Sequence, residues 1–339
     1  MKAALLCQLG QPLEIREVAL PKIEPDEVLV ETRCCGICGT DIHMIEGRGY
    51  IPKLPHIPGH EPAGVIKEVG SRVRGLKPGD RVVPHLFLNC GKCWYCKHGM
   101  QNMCANLNGI IGVLVNGGFA EYFKAPARNL FKLPDKVSFE SGGLVADAVV
   151  TAVHAVYDSS TLGKGDTAVV IGVGGIGQII LQLLKNLHVK VAAVSRSKEK
   201  QEIAKRLGAD VVLGAGSSDL GEQISRLAQE GAACVFDCVG SEGSMKDALT
   251  SVRRHGRIVM VGEENALFPA NTTQIAQREL EIIGSRNGTQ ENMRMAIQML
   301  ARGKVRPIIY SRYELNEINE ALDDFRRGVA GRIVIKLHN

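Results

Sequence analysis

Aromatic side chains are scarce in this sequence: they make up 4% of it, and tryptophan occurs once. That leaves few ring platforms on which unpaired bases could stack. An excess of charge of either sign is also missing. The 41 basic and 36 acidic residues leave a formal net charge of +5, and the two signs are interspersed. A nucleic-acid partner is therefore not expected. No apolar run approaches the roughly 18 residues that span a bilayer. The opening MKAALLCQLGQP has one lysine and a very short apolar patch, without the length or cleavage site of a secretory signal. The expectation is a cytoplasmic protein with no membrane partner. Internal repeats and low-complexity linkers are absent as well.

What is present is ample material for burial: 339 residues, of which 45% are hydrophobic and 23% charged. At roughly 150 residues per domain this is about two domains. Residues 1–148 read as short strands between Gly- and Pro-rich turns: LEIREVAL, EVLVETRCC, EPAGVIKEVG, DRVVPHLFL and AEYFKAPARNLFKLP. That texture predicts an irregular all-β domain. From residue 149 the runs TAVVIG, KVAAVS, DVVLG, ACVFDCVG, RIVMVG and ELEIIGS alternate with helical stretches. In the first of these stretches Ile176, Ile180, Leu184 and Leu187 recur at helical spacing. Such alternation predicts a doubly wound parallel α/β sheet over 149–286. The remainder, 287–339, holds a helix in NEINEALDDFRRG and a closing strand in RIVIKL, and returns to complete the first domain.

Ten cysteines are too many to pass over in a reducing compartment, where clusters point to metal or catalysis before disulfides. Cys90, Cys93, Cys96 and Cys104 fall within fifteen residues. A CxxCxxC loop wraps three thiolates around one ion and the longer step returns the fourth, which closes a tetrahedral structural zinc site. An iron–sulfur cluster uses similar spacing, although its run is usually tighter and followed by proline. Upstream stand Cys35, Cys38, Thr40 and His43, then His60 and Glu61. Cys35 and Cys38 could form a redox pair, but the βαβ setting of such a pair is missing. The alternative takes Cys38 and His60 as ligands of a catalytic zinc, which needs three protein donors and an open position. The other cysteines, and His56, His85 and His154, show no partner pattern.

Gly172-Val-Gly174-Gly175-Ile176-Gly177 ends a strand and opens a helix. In this pattern the first glycine permits a tight turn, the second lets backbone approach a pyrophosphate, and the last allows close helix–strand packing. The helix N-terminus then faces the phosphates. The next strand should end at an acid if the 2′-hydroxyl of NAD is held. Here it ends at Ser195-Arg196, with Lys200 following. A hydroxyl and cations suit a 2′-phosphate, so NADP is expected ahead of NAD.

Together these residues resemble the zinc-dependent alcohol dehydrogenases of the medium-chain dehydrogenase/reductase superfamily, and the resemblance covers essentially the whole chain. It rests on Gly59-His60-Glu61-Pro-Ala-Gly64, the four-cysteine lobe, the glycine turn and Gly331-Arg332-Ile-Val. It implies a GroES-like catalytic domain with a Rossmann domain inserted before its last segment, two zinc ions per chain, and reversible hydride transfer between an alcohol and NADP. By the same resemblance Cys38 and His60 are catalytic zinc ligands and Glu61 is the acid beside the metal. Thr40 takes the alcohol proton, and His43 passes it outward. Arg332 lies near the pyrophosphate, and Thr151 and Val261 line the cofactor. The third ligand departs from the family pattern: Asp147 stands where Cys or Glu is usual, with Glu61 swinging in as the alternative. Chains of this length resemble tetrameric members, so a homotetramer is expected before a dimer. Gly39, Arg48 and Tyr50 are compatible with a polyol or sugar substrate on the same scaffold. A non-catalytic nucleotide-binding protein is the reading from another class.

Overall fold

The computed structural model describes residues 1–264 and 266–337, which form two compact units. One comprises residues 1–150, 288–303 and 307–339; the other comprises 151–287 and 304–306. Among the described residues no helix is long and apolar enough to cross a membrane.

The second unit is built on six strands in the spatial order Val211–Leu213, Lys190–Val194, Thr167–Ile171, Ala232–Asp237, Val252–Met260, Glu281–Gly284. Every pairing is parallel, and the chain order is 3-2-1-4-5-6. Thr167–Ile171 is buried at every position, as a strand covered on both faces must be. The helix Gly175–Asn186 buries Ile179, Ile180, Leu183 and Leu184 against this sheet unit. Ile176 and Leu187, at the two ends of the anticipated stripe, are only half-buried.

In the first unit a seven-stranded sheet is organised around the eleven-residue strand Glu27–Ile37. It pairs antiparallel with Glu61–Val69, with Tyr122–Pro126 and with the returning Arg332–Lys336. Register decides where the chemistry lies. Gly36 stands opposite Glu61, and Ile37 opposite Ile333. Cys38, His60, Glu61 and Arg332 are thereby gathered at one end of the sheet. Gly36 is what allows it, since a Cβ there would lie 2.1 Å from Glu61 Oε2.

This unit is less purely β than its turns imply. Helices Gly39–Ile45 and Phe139–Gly143 and a π-helical turn, Val145–Val149, lie within the first 150 residues, and Gln290–Ala301 is a further helix. The first two are too short to carry a helical period. LEIREVAL contracts to Glu14–Glu17, which pairs with an unanticipated strand, Lys2–Leu5. DRVVPHLFL contracts to Arg81–Pro84.

Gly177 offers a direct test of the close packing in the second unit, because a Cβ there would lie 2.0 Å from the Gly172 carbonyl oxygen. Backbone cannot retreat as a side-chain tip can. Gly177→Ala should cost about 1–3 kcal/mol, seen as a lower denaturant midpoint by far-ultraviolet circular dichroism.

Candidate metal centre and dinucleotide turn

Cys38 follows the long strand Glu27–Ile37 and caps the helix Gly39–Ile45. The helix's third residue, Asp41, reaches back, so that its Oδ2 accepts the Cys38 N–H at 2.9 Å. Its Oδ1 lies 3.1 Å from His60 Nδ1. A carboxylate only accepts, so Nδ1 is the protonated nitrogen and Nε2 is left as the donor atom. His60 Nε2 lies 3.7 Å from Asp147 Oδ2, and Cys38 Sγ lies 3.5 Å from the same oxygen. Glu61 completes the group: one ligand atom from each of Cys38, His60, Glu61 and Asp147 falls within 4.8 Å of the others. Glu61 is fully buried and ion-paired with Arg332, itself 4% exposed.

The electrostatics describe a pocket that favours a cation. Burial pushes Glu61 up to about 7, with Arg332 opposing and Asp147 adding to the rise. Burial acts the same way on Asp147, yet His60, Arg332 and Cys38 hold it well below the usual carboxylate range. Burial alone would lower His60, but Asp41 and Asp147 raise it well above its ordinary value. Donors at about 2.0–2.3 Å from one zinc ion stand roughly 3.3–3.8 Å apart at tetrahedral corners. The separations of 3.5 and 3.7 Å fit that ion.

Asp147 is carried by the π-helical turn Val145–Val149, amid buried Val145, Ala146, Ala148 and Val149. A π turn adds a residue per turn and re-aims side chains, which is why such turns recur at functional sites. Thr40 and His43 are half-buried and, three residues apart on one helix, share a face. Asp41 is the member that sequence reading missed. Its signal was an acid three residues after a candidate ligand, at the third position of a helix.

The sulfur lobe is equally compact. Cys93 Sγ lies 3.5 Å from Cys96 Sγ and 3.9 Å from Cys104 Sγ, and Cys90 Sγ is 4.0 Å from Cys96 Sγ. Zn–S bonds of 2.3 Å set tetrahedral sulfurs about 3.8 Å apart, whereas a disulfide would need about 2.05 Å. The N–H groups of Lys92 and Cys93 point at Cys90 Sγ, at 3.5 and 3.3 Å. Backbone donors hold the Cys93 thiol down at about 6, while burial pushes Cys96 up to about 12. The four sulfurs fit a closed site with no open position.

In the second unit the three glycines divide their tasks. Gly172 has φ +88°. Around Gly174 a Cβ would meet nothing within 4 Å, while Gly177 is pressed against Gly172. The open space at Gly174, beside the N-terminus of Gly175–Asn186, fits a pyrophosphate. Ser195 is buried just after Lys190–Val194, Arg196 is exposed, and Lys200 is half-buried. Burial and the charge of Arg196 both lower the Lys200 pKa. Thr151 and Val261 are buried. Arg332, in the first unit, is ion-paired with the buried Glu61.

The sequence matches the Alcohol dehydrogenase GroES-like domain family over residues 24–135 and the Zinc-binding dehydrogenase family over 175–302. It is 40% identical to an alcohol dehydrogenase of Geobacillus stearothermophilus, over 99% of both chains. The chain belongs to the zinc-dependent alcohol dehydrogenases of the medium-chain superfamily. Among other relatives of this dehydrogenase is the D-arabitol-phosphate dehydrogenase of Enterococcus avium, 33% identical over 94% of this chain and 92% of that one. A solved NAD-dependent alcohol dehydrogenase, 27% identical, superposes with a TM-score of 0.93 over 100% of both chains.

If the donor cluster holds metal as its geometry implies, Asp147→Ala should lower the zinc content of the dehydrogenase by about one ion per chain, measured by atomic emission. Two retained ions with activity intact would exclude Asp147 as a ligand. Asp41→Asn should weaken metal affinity or turnover by about 10–100-fold, read by chelator competition.

Proposed function

We propose that this dehydrogenase interconverts primary or secondary alcohols with aldehydes or ketones, using NADP before NAD and two zinc ions per chain. The observation that carries the reading is the convergence of Cys38, His60 and Asp147 on one point, with Glu61 alongside. These three residues would hold the catalytic ion, and Cys90, Cys93, Cys96 and Cys104 the structural one. When bound, zinc supplies Lewis acidity to the substrate oxygen, and the nucleotide supplies the hydride acceptor.

The chain's own residues do the rest. Asp41 orients the His60 ring, and Arg332 opposes protonation of Glu61 beside the cluster. The Thr40 hydroxyl accepts the alcohol proton at Oγ1 while giving up its own, and His43, on the same helix face, passes the proton to solvent. Gly172, Gly174, Gly175, Ile176 and Gly177 cradle the pyrophosphate, and Thr151 and Val261 line the nicotinamide side. Ser195, Arg196 and Lys200 take the 2′-phosphate, a reading supported by the absence of an acid where NAD would need one.

A polyol or sugar substrate is the second reading, favoured by the Enterococcus relative. Arg48 argues little for it, because this exposed guanidinium is paired with Glu46. A non-catalytic role is opposed by the complete donor set. The same reading makes the protein a cytoplasmic homo-oligomer, a tetramer before a dimer, which light scattering would test.

The deciding experiment follows reduced-nicotinamide absorbance with NADP and NAD against simple alcohols, polyols and sugars. Turnover of a simple alcohol with NADP is expected. A strict polyol preference would select the second reading, and silence across the panel with zinc bound would overturn both. Ser195→Asp should shift the kcat/KM ratio toward NAD by about tenfold or more; an unchanged ratio would mean that this loop does not read the phosphate.

A further inference from the structure

In a sheet of order 3-2-1-4-5-6 the ligand crevice opens between the carboxyl ends of the first and fourth strands. Here these are the neighbours Thr167–Ile171 and Ala232–Asp237. The fourth strand ends on Asp237, a carboxylate with no solvent exposure. The hydrogen bonds described at its oxygens come from neutral donors. Oδ1 accepts the N–H groups of Val239 and Gly240, at 2.9 and 3.0 Å, and Oδ2 accepts the Ser244 hydroxyl at 2.9 Å.

Its main chain ties in a further loop, since the Asp237 carbonyl accepts the N–H groups of Val261 and Gly262 at 2.8 and 2.9 Å. The segment so fixed has no slack. The Cys238 N–H donates to the Ile171 carbonyl at 2.9 Å. A Cβ on Gly172 would lie 2.6 Å from Val239 Cγ2, and one on Gly262 would lie 2.2 Å from the Val239 carbonyl carbon. A buried carboxylate is an expensive way to close a turn unless the position of that turn matters.

We propose that Asp237 is a positioning residue for the dinucleotide. It clamps Val239 and Gly240 between the Gly172 turn and Gly262, so that three loop ends form one fixed wall at the carboxyl edge of the sheet. The inference rests on the dinucleotide reading above and assigns Asp237 no contact with the cofactor. It acts through Val239 and the backbone at Gly172. A residue that only held the domain together would lower stability and the folded fraction, and would leave the affinity of the folded molecules alone.

The test uses the full-length zinc-loaded enzyme and titrates NADP and NAD by calorimetry, with kcat, cofactor KM, zinc content and melting temperature measured alongside. Asp237→Ala should weaken binding of the preferred nucleotide by about tenfold and raise its KM by a similar factor. Zinc content should not change, and kcat should stay within about threefold. Asp237→Asn, whose amide oxygen still accepts both backbone N–H groups, should recover binding to within about threefold of the native enzyme. Should the alanine variant fail to accumulate folded, Asp237→Ser carries the same criterion. Native affinity in a folded Asp237→Ala or Asp237→Ser protein overturns the inference while leaving the dinucleotide reading intact. If the native enzyme binds neither nucleotide, both fall.

Discussion

The constraint on which the first unit depends is charge balance in a buried pocket. Asp41 and Glu61 are both fully buried, and Asp147 and the Cys38 sulfur stand beside them. Anionic groups this close repel, and removing them from water costs far more than any one hydrogen bond returns. One protein cation, Arg332, answers them through Glu61, while His60 donates its Nδ1–H to Asp41. Arg332 belongs to the strand that arrives last in the chain, and the pairing of Ile333 with Ile37 brings it to the pocket. The return of the chain to the first sheet after the nucleotide-binding segment therefore has an electrostatic reason. Without that strand Glu61 would be a buried carboxylate lacking its guanidinium. A divalent ion among the remaining donors would complete the balance and turn a destabilising cluster into a site.

The sulfur lobe solves a different problem. Its ordered pieces are a four-residue helix, Trp94–Lys97, and a single 3-10 turn, Gln101–Met103. Trp94 is 61% exposed, and Cys96 and Asn102 are the residues these two pieces bury. So small a segment has little apolar surface to hide, and four thiolates on one ion would supply the cross-links that a core would otherwise provide. In the buried pocket the surrounding sheet fixes the donors. In the lobe the donors fix their surroundings.

The parts that were legible in the sequence are those whose geometry is local. The cysteines at 90, 93, 96 and 104 and the turn from Gly172 to Gly177 encode their chemistry in spacing, and the buried parallel strands announce themselves as apolar runs. What was hidden is long-range or short-element. The pairing of Glu61 with Arg332 joins residues far apart in the chain, and only sheet register brings them together. Asp41 was concealed for another reason. An acid at the third position of a helix is an ordinary capping residue, and that bond is indeed made, to the Cys38 N–H. Its second bond, to His60, follows from the fold and not from the pattern. Asp147 was reached through family resemblance, although it is also the one ionisable residue in the apolar run Leu144–Val150. Ile309–Glu314 alternates half-buried and exposed positions along an edge of the sheet, and its polar content masked it as a strand.

On the proposed reading, cofactor preference would turn on the same economy of charge. Partial burial and then the charge of Arg196 disfavour the charged form of Lys200. Two cations beside the end of Lys190–Val194 carry a cost that an anion would relieve. A 2′-phosphate brings about two negative charges and several acceptor oxygens to that place, whereas a 2′-hydroxyl brings none of the charge and would leave the repulsion standing. Ser195, buried at the strand end, would offer the phosphate a hydroxyl. An acidic side chain there would reverse each of these relations, neutralising the cations and repelling the phosphate. Discrimination between the two nucleotides would then need no large change of shape, only the sign of the charge at one strand end.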